Sequence, residues 1–141
     1  MDELKFSTKE RIALGVVFVG ITLAVLVLYL FDPEKTSIFP KCLLYQLTGF
    51  ACPSCGLTRG FHALFHGDFF SAINYNALIP LYLAIFIVVY VNLLLSVFTG
   101  RGFSWIFSKR TYAFFIFFLL VNLIFGILRN LPFPPFSYLY P

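Results

Sequence analysis

The stretch IALGVVFVGITLAVLVLYLF, Ile12 to Phe31, runs for 20 residues without a charge between Arg11 and Asp32. At 1.5 Å rise per residue, a helix of that length covers roughly 30 Å, the thickness of a bilayer's hydrocarbon core. A membrane-spanning helix is therefore expected here. Lys5, Lys9 and Arg11 precede it as cations precede a signal peptide, yet the apolar run is too long and no small-residue cleavage pattern follows before Asp32-Pro33. The segment reads as a retained anchor.

Working outward, a second uncharged run covers 32 residues, Phe69 to Gly100. Its front part, FFSAINYN, is polar and turn-prone, which leaves 77–98 as the span. Pro80 falls near the start, where a missing N–H costs least. A third run, Thr111 to Leu128, has 18 residues between Lys109-Arg110 and Arg129, enough to cross with little tilt. Tyr75, Tyr82, Trp105 and Tyr112 stand near the proposed ends, where an aromatic belt places them.

Composition agrees. Of 141 residues, 60% are hydrophobic and 11% charged, against about 25% charged in an ordinary soluble domain. Twenty phenylalanines exclude a disordered or collagen-like chain. The net charge of +4 is scattered beside apolar runs rather than gathered into a basic stripe, so no nucleic-acid partner is expected. The expected fold is an all-α integral membrane protein, one domain over 1–141, with three transmembrane helices (12–31, 77–98, 111–128) plus a short amphipathic interfacial or re-entrant helix. Its partners are the lipid bilayer and other membrane proteins.

Three spans put the termini on opposite sides. Lys5, Lys9, Arg11, Arg101, Lys109 and Arg110 share one side, against Lys35, Lys41, Arg59 and Arg129 on the other. The positive-inside rule then favours a cytoplasmic N-terminus, with the loop after Asp32 and the C-terminal tail facing outward into an oxidising space. Asn92 and Asn122, the strongest polar residues inside the spans, are expected to make interhelical hydrogen bonds. Without a charged residue in the spans, proton-coupled transport has little support.

The chemistry is concentrated in 39–68. This loop holds Cys42, Cys52, Cys55, His62, His66, Arg59 and Asp68. Leu57, Phe61, Leu64 and Phe65 recur at helical spacing and leave Arg59, His62 and His66 on another face. A short interfacial helix ending at Gly67 is expected, with Asp68 folding back or capping the next helix. Cys52-Pro-Ser-Cys55 sits just before it, where helix amides, the dipole and Arg59 lower a thiol's pKa. Three readings stay open: a disulfide, a zinc site of Cys42, Cys52 and Cys55 with His62 or His66, and a catalytic dithiol of Cys52 and Cys55. Against histidine ligation, Arg59 shares their face.

The run CPSCGLTR from Cys52 to Arg59, the upstream FPKC and TGF, the downstream Gly67-Asp68 and Asn76, and the tail RNLPFPPFSYLYP resemble the DUF2752 family of small bacterial membrane proteins, whose motif is CPxCGxTR. The resemblance implies that Cys42, Cys52, Pro53, Cys55, Gly56, Thr58, Arg59, Gly67, Asp68 and Asn76 are the marked positions. It implies a bacterial cytoplasmic membrane and no particular activity. Ser54 departs from the family's common Gly, and the histidines are not fixed parts of the pattern.

The tail, 129–141, carries four prolines and cannot form a regular helix. Arg129, Asn130 and the tail are expected to pack over the CPSC helix. The favoured function is a non-catalytic scaffold or accessory subunit whose cysteines form a disulfide or zinc site. The alternatives are a membrane thiol-disulfide oxidoreductase and a small transporter or lipid-handling protein.

Overall fold

The computed structural model describes residues 3–40, 42–103 and 109–133. Trp105 and the tail beyond Phe133 lie outside the described residues. The elements are β1 (Glu3–Lys5), α1 (Thr8–Leu30), α2 (Leu43–Thr48), α3 (Leu57–Phe65), α4 (Phe69–Tyr75), α5 (Ile79–Thr99), β2 (Arg101–Phe103) and α6 (Lys109–Leu128). Helices α1, α5 and α6 have 23, 21 and 20 residues and are long and apolar enough to cross a membrane. No residue of α1 is buried, and side chains such as Val16 and Phe98 are 69% and 73% exposed. Apolar surface open on this scale is matched by lipid, not by water.

The helical fold expected from sequence is present, with three differences. Helix α1 begins before the first apolar residue because Ser7 and Glu10 form a reciprocal cap: Ser7 N donates to Glu10 Oε2 at 2.7 Å and Glu10 N to Ser7 Oγ at 3.4 Å. The single short helix expected is three, α2 to α4. Residues 69–75, expected as a turn-prone approach to the span, form α4, and Asp68 caps it as expected, accepting from Ser71 N at 3.0 Å. Hydrogen bonds from the Ser71 hydroxyl and then its amide hold the Asp68 carboxyl below its ordinary range.

The chain forms two compact units. The first comprises Met1–Leu26 and Leu81–Ile116. Here β1 and β2 pair antiparallel, Glu3 opposite Phe103 and Lys5 opposite Arg101, a small ribbon in an otherwise helical chain. Thr22 Oγ1 donates to Phe18 O at 2.8 Å and lies 2.9 Å from Tyr90 Oη. Asn92, expected to bond across helices, instead donates Nδ2 to Val88 O at 2.7 Å in its own helix. An amide satisfied four residues back needs no partner helix.

Arg11 closes the end of α5. Its guanidinium donates to Val97 O at 2.9 and 3.1 Å and to Phe98 O at 3.1 Å, carbonyls that the last turn leaves without intrahelical partners. A cation here also meets the negative end of the helix dipole. Arg11→Ala is expected to destabilise this unit by about 1 kcal/mol, read as a lower melting temperature in detergent with unchanged helical content at low temperature.

The second unit comprises Val27–Pro80 and Phe117–Pro141. Its core is small and partly polar: Ala51, Cys55, Ala72, Asn76, Ile79, Phe125 and Arg129 are buried. Gly60 of α3 is buried because any Cβ there would overlap Ile79 Cδ1. Asn122 donates Nδ2 to Phe118 O at 2.9 Å, again a bond to its own helix.

Candidate functional site

The site is built around residues 51–56. Cys42 is the N-cap of α2, and Gly49 ends that helix at φ 75°. The chain then makes a tight turn, with Cys55 N donating to Cys52 O at 3.1 Å and Leu57 N to Ser54 O at 3.1 Å. Gly56, at φ 80°, redirects the backbone into α3.

Three polar side chains from distant parts of the sequence hold this turn. Arg129 Nη1, at the end of α6, donates to Cys52 O at 3.0 Å, Pro53 O at 3.4 Å and Cys55 O at 3.1 Å. Asn76, between α4 and α5, donates Nδ2 to Pro53 O at 2.8 Å and Cys55 O at 3.2 Å, while its Oδ1 accepts from Leu78 N. Asn130 pairs with the backbone of Ala51 in both directions, at 2.8 Å each. Arg129 and Asn76 are 0% and 1% exposed, so these bonds operate away from water, where leaving a polar group unmet is most costly. Pro53 itself seats against Gly126, where an added Cβ would approach Pro53 Cγ to 2.9 Å. Arg129 and Asn130 thus meet the CPSC turn as expected, though through its carbonyls and not over α3.

The clamp brings the three thiols together. Cys52 Sγ lies 3.0 Å from Cys55 Sγ and 3.2 Å from Cys42 Sγ, and all three sulfurs fall within 4.8 Å of one another. These separations exceed the roughly 2.05 Å of a disulfide and fall short of the roughly 3.8 Å edge that a tetrahedral ion with ~2.3 Å thiolate bonds requires.

The thiols are not equivalent. Burial pushes the Cys42 thiol up, but hydrogen bonds from the Tyr45 amide, the Cys55 and Cys52 thiols and the Leu44 amide outweigh it and leave it at about 7. Burial, reinforced by the Cys52 and Cys42 thiols, pushes Cys55 to about 12. The expectation that α3 and Arg59 would lower Cys55 is therefore corrected: Cys55 is buried, and Arg59 is engaged by other side chains. Its guanidinium stands 3.7 Å from Glu34 and over the Tyr75 ring, whose hydroxyl donates to Glu34 at 3.0 Å. In reduced, metal-free protein, alkylation of Cys42 should rise with pH to half its maximum near pH 7, because the thiolate is the nucleophile, while Cys55 stays unreactive. Mass-spectrometric mapping of iodoacetamide adducts across pH checks this, and a Cys42 midpoint near 9 contradicts it.

The structure does not bring His62 or His66 to the sulfurs. His62 Nδ1 bonds Leu28 O at 2.7 Å, at the end of α1, and His66 Nδ1 bonds His62 O at 2.9 Å. The His66 ring stacks on Tyr29. Thr58 lines the cavity described next, and Gly67, at φ 83°, turns the chain between α3 and α4. Glu34 and Gly126 were not foreseen. A signal for the latter is present: Gly126, Arg129 and Asn130 follow i, i+3, i+4 spacing at the end of α6 and the turn after it.

A cavity of about 860 Å³ opens beside the thiols. All three cysteines line it, together with Phe39, Tyr45, Gln46, Glu34, Thr58 and Arg59.

No curated protein and no solved structure matches the chain. One family model does, over residues 42–90, a segment that holds the three cysteines, Asn76 and the first part of α5, while Arg129 and Asn130 lie beyond it. That model describes a protein of unknown function, DUF2752, and the matched segment is similar to it.

Proposed function

We propose that this protein is a non-catalytic scaffold or accessory subunit of the bacterial cytoplasmic membrane, a single membrane domain in which Cys42, Cys52 and Cys55 hold a zinc ion. The observation that supports this is the convergence of all three sulfurs on a turn immobilised by Arg129, Asn76 and Asn130. A disulfide would use two of them and leave the third in contact without a role. An ion would join α2 to the CPSC turn and offset the cost of gathering three thiolates. The cation count favours an N-terminus in the cytoplasm and the cysteines on the outer face.

Protein purified in mild detergent without reductant should carry about one zinc per chain, with thiols that alkylate only after chelation. Cys52→Ser removes the central sulfur and should lower zinc affinity by about 100-fold or more. No metal and one free thiol per chain would overturn this reading.

One observation favours a second reading. Cys52 lies between the other two sulfurs, and the Cys42 thiol is held near neutrality, the arrangement of an attacking thiol beside a resolving one. Cys42 thiolate would break a substrate disulfide, forming a mixed disulfide and releasing one thiolate. Cys52 would then displace the second, leaving the substrate reduced and Cys42–Cys52 oxidised. In that case Cys52→Ser traps a substrate on Cys42.

A further inference from the structure

The zinc reading leaves one coordination position to be filled, and the cavity says from where. Tetrahedral zinc takes four ligands; structural sites are closed by protein groups, and sites that act on ligands keep one position open. The chain has three cysteines and two histidines, and both histidines are engaged beside α1 and within α3, apart from the sulfurs. Among the described residues, the group able to hold an ion consists of the three cysteines alone. The same three sulfurs line a cavity of about 860 Å³, within the size range of sites that enclose small molecules.

The rest of the wall specifies the ligand. Arg59 and Glu34, side chains of opposite charge 3.7 Å apart, both line this cavity and are both about half exposed. One offers donors for a carboxylate; the other accepts from an ammonium group. A soft sulfur ligand suits an ion already bound by thiolates better than a hard oxygen does.

Resting on the zinc reading, we infer that the centre is an open three-thiolate site whose fourth ligand is a free amino-acid thiol, its sulfur on the metal and its carboxylate and ammonium groups on Arg59 and Glu34. On binding, the thiol's S–H bond breaks, the sulfur–metal bond forms and the proton passes to solvent. No electron is transferred.

The test uses full-length protein in detergent loaded with Co²⁺, whose thiolate charge-transfer and visible bands report its ligands. L-cysteine should intensify and shift these bands saturably, with cobalt still bound after desalting, whereas S-methyl-L-cysteine, which has no ionisable thiol, should not. Arg59→Gln should weaken L-cysteine by about tenfold but leave ethanethiol, which has no carboxylate, unchanged. Cobalt bound through the three cysteines with a spectrum indifferent to L-cysteine would overturn this inference and leave the zinc reading standing. Failure to bind cobalt at all would overturn both. Equal weakening of L-cysteine and ethanethiol by Arg59→Gln would remove Arg59 and the amino-acid assignment.

Discussion

Arg129→Leu is expected to destabilise the second unit by about 3 kcal/mol and to expose the thiols. A single nitrogen, Nη1, reaches three carbonyls of the Cys52–Cys55 turn, and the residue is fully buried. Leucine has no donor, and the turn loses the charge that neutralises three converging carbonyl dipoles. Asn76 and the Cys55 amide still serve the same oxygens, which is why the loss is a few kcal/mol and not complete unfolding. Arg129→Lys should recover part of it, because an ammonium carries three donors at one nitrogen. The measurements are the melting temperature in detergent and the alkylation rate of Cys55, which should rise. A leucine variant with normal melting and a protected Cys55 would show that the guanidinium does not hold the turn.

Gly56→Ala is the second large expected effect, and Gly49→Ala is its control. Both glycines have positive φ, 80° and 75°, a conformation that costs an alanine roughly 1 kcal/mol. At Gly49 nothing lies within 4 Å of an added Cβ; at Gly56 the Cβ would drive into the Tyr75 carbonyl. That carbonyl is backbone and immediately precedes Asn76, whose side chain is fastened to Pro53, Cys55 and Leu78, so it has little room to yield. Gly49→Ala should cost about 1 kcal/mol and Gly56→Ala about 3 or more, with faster alkylation of the thiols in the second. Equal melting temperatures for the two variants would show that strain alone, without the collision, governs position 56.

Much of this was legible in the chain. Charge-free runs of the right length located α1, α5 and α6, because hydrocarbon excludes charge along a whole span and the signal accumulates over some twenty residues. CPSCGLTR marked the site, and Arg129-Asn130 marked the segment that meets it. The short helices were harder: α4 depends on one carboxylate, Asp68, finding Ser71 N, a local event with no periodic trace. Arg59 was assigned to Cys55 by proximity in sequence, yet Glu34, after α1, and Tyr75, at the end of α4, claim it.

By itself, then, the sequence determined the solvent. Composition and charge-free length require a bilayer whatever the packing, since that free energy depends on area and not on partners. Only the tertiary structure decided the chemistry of the loop. Whether Cys55 is an exposed nucleophile or a buried thiol, and whether three cysteines spread over 14 residues share one point, depends on Asn76, Arg129 and Asn130 closing on the turn from far along the chain. Burial and hydrogen bonding act through space, and they set the thiols of Cys42 and Cys55 apart in opposite directions.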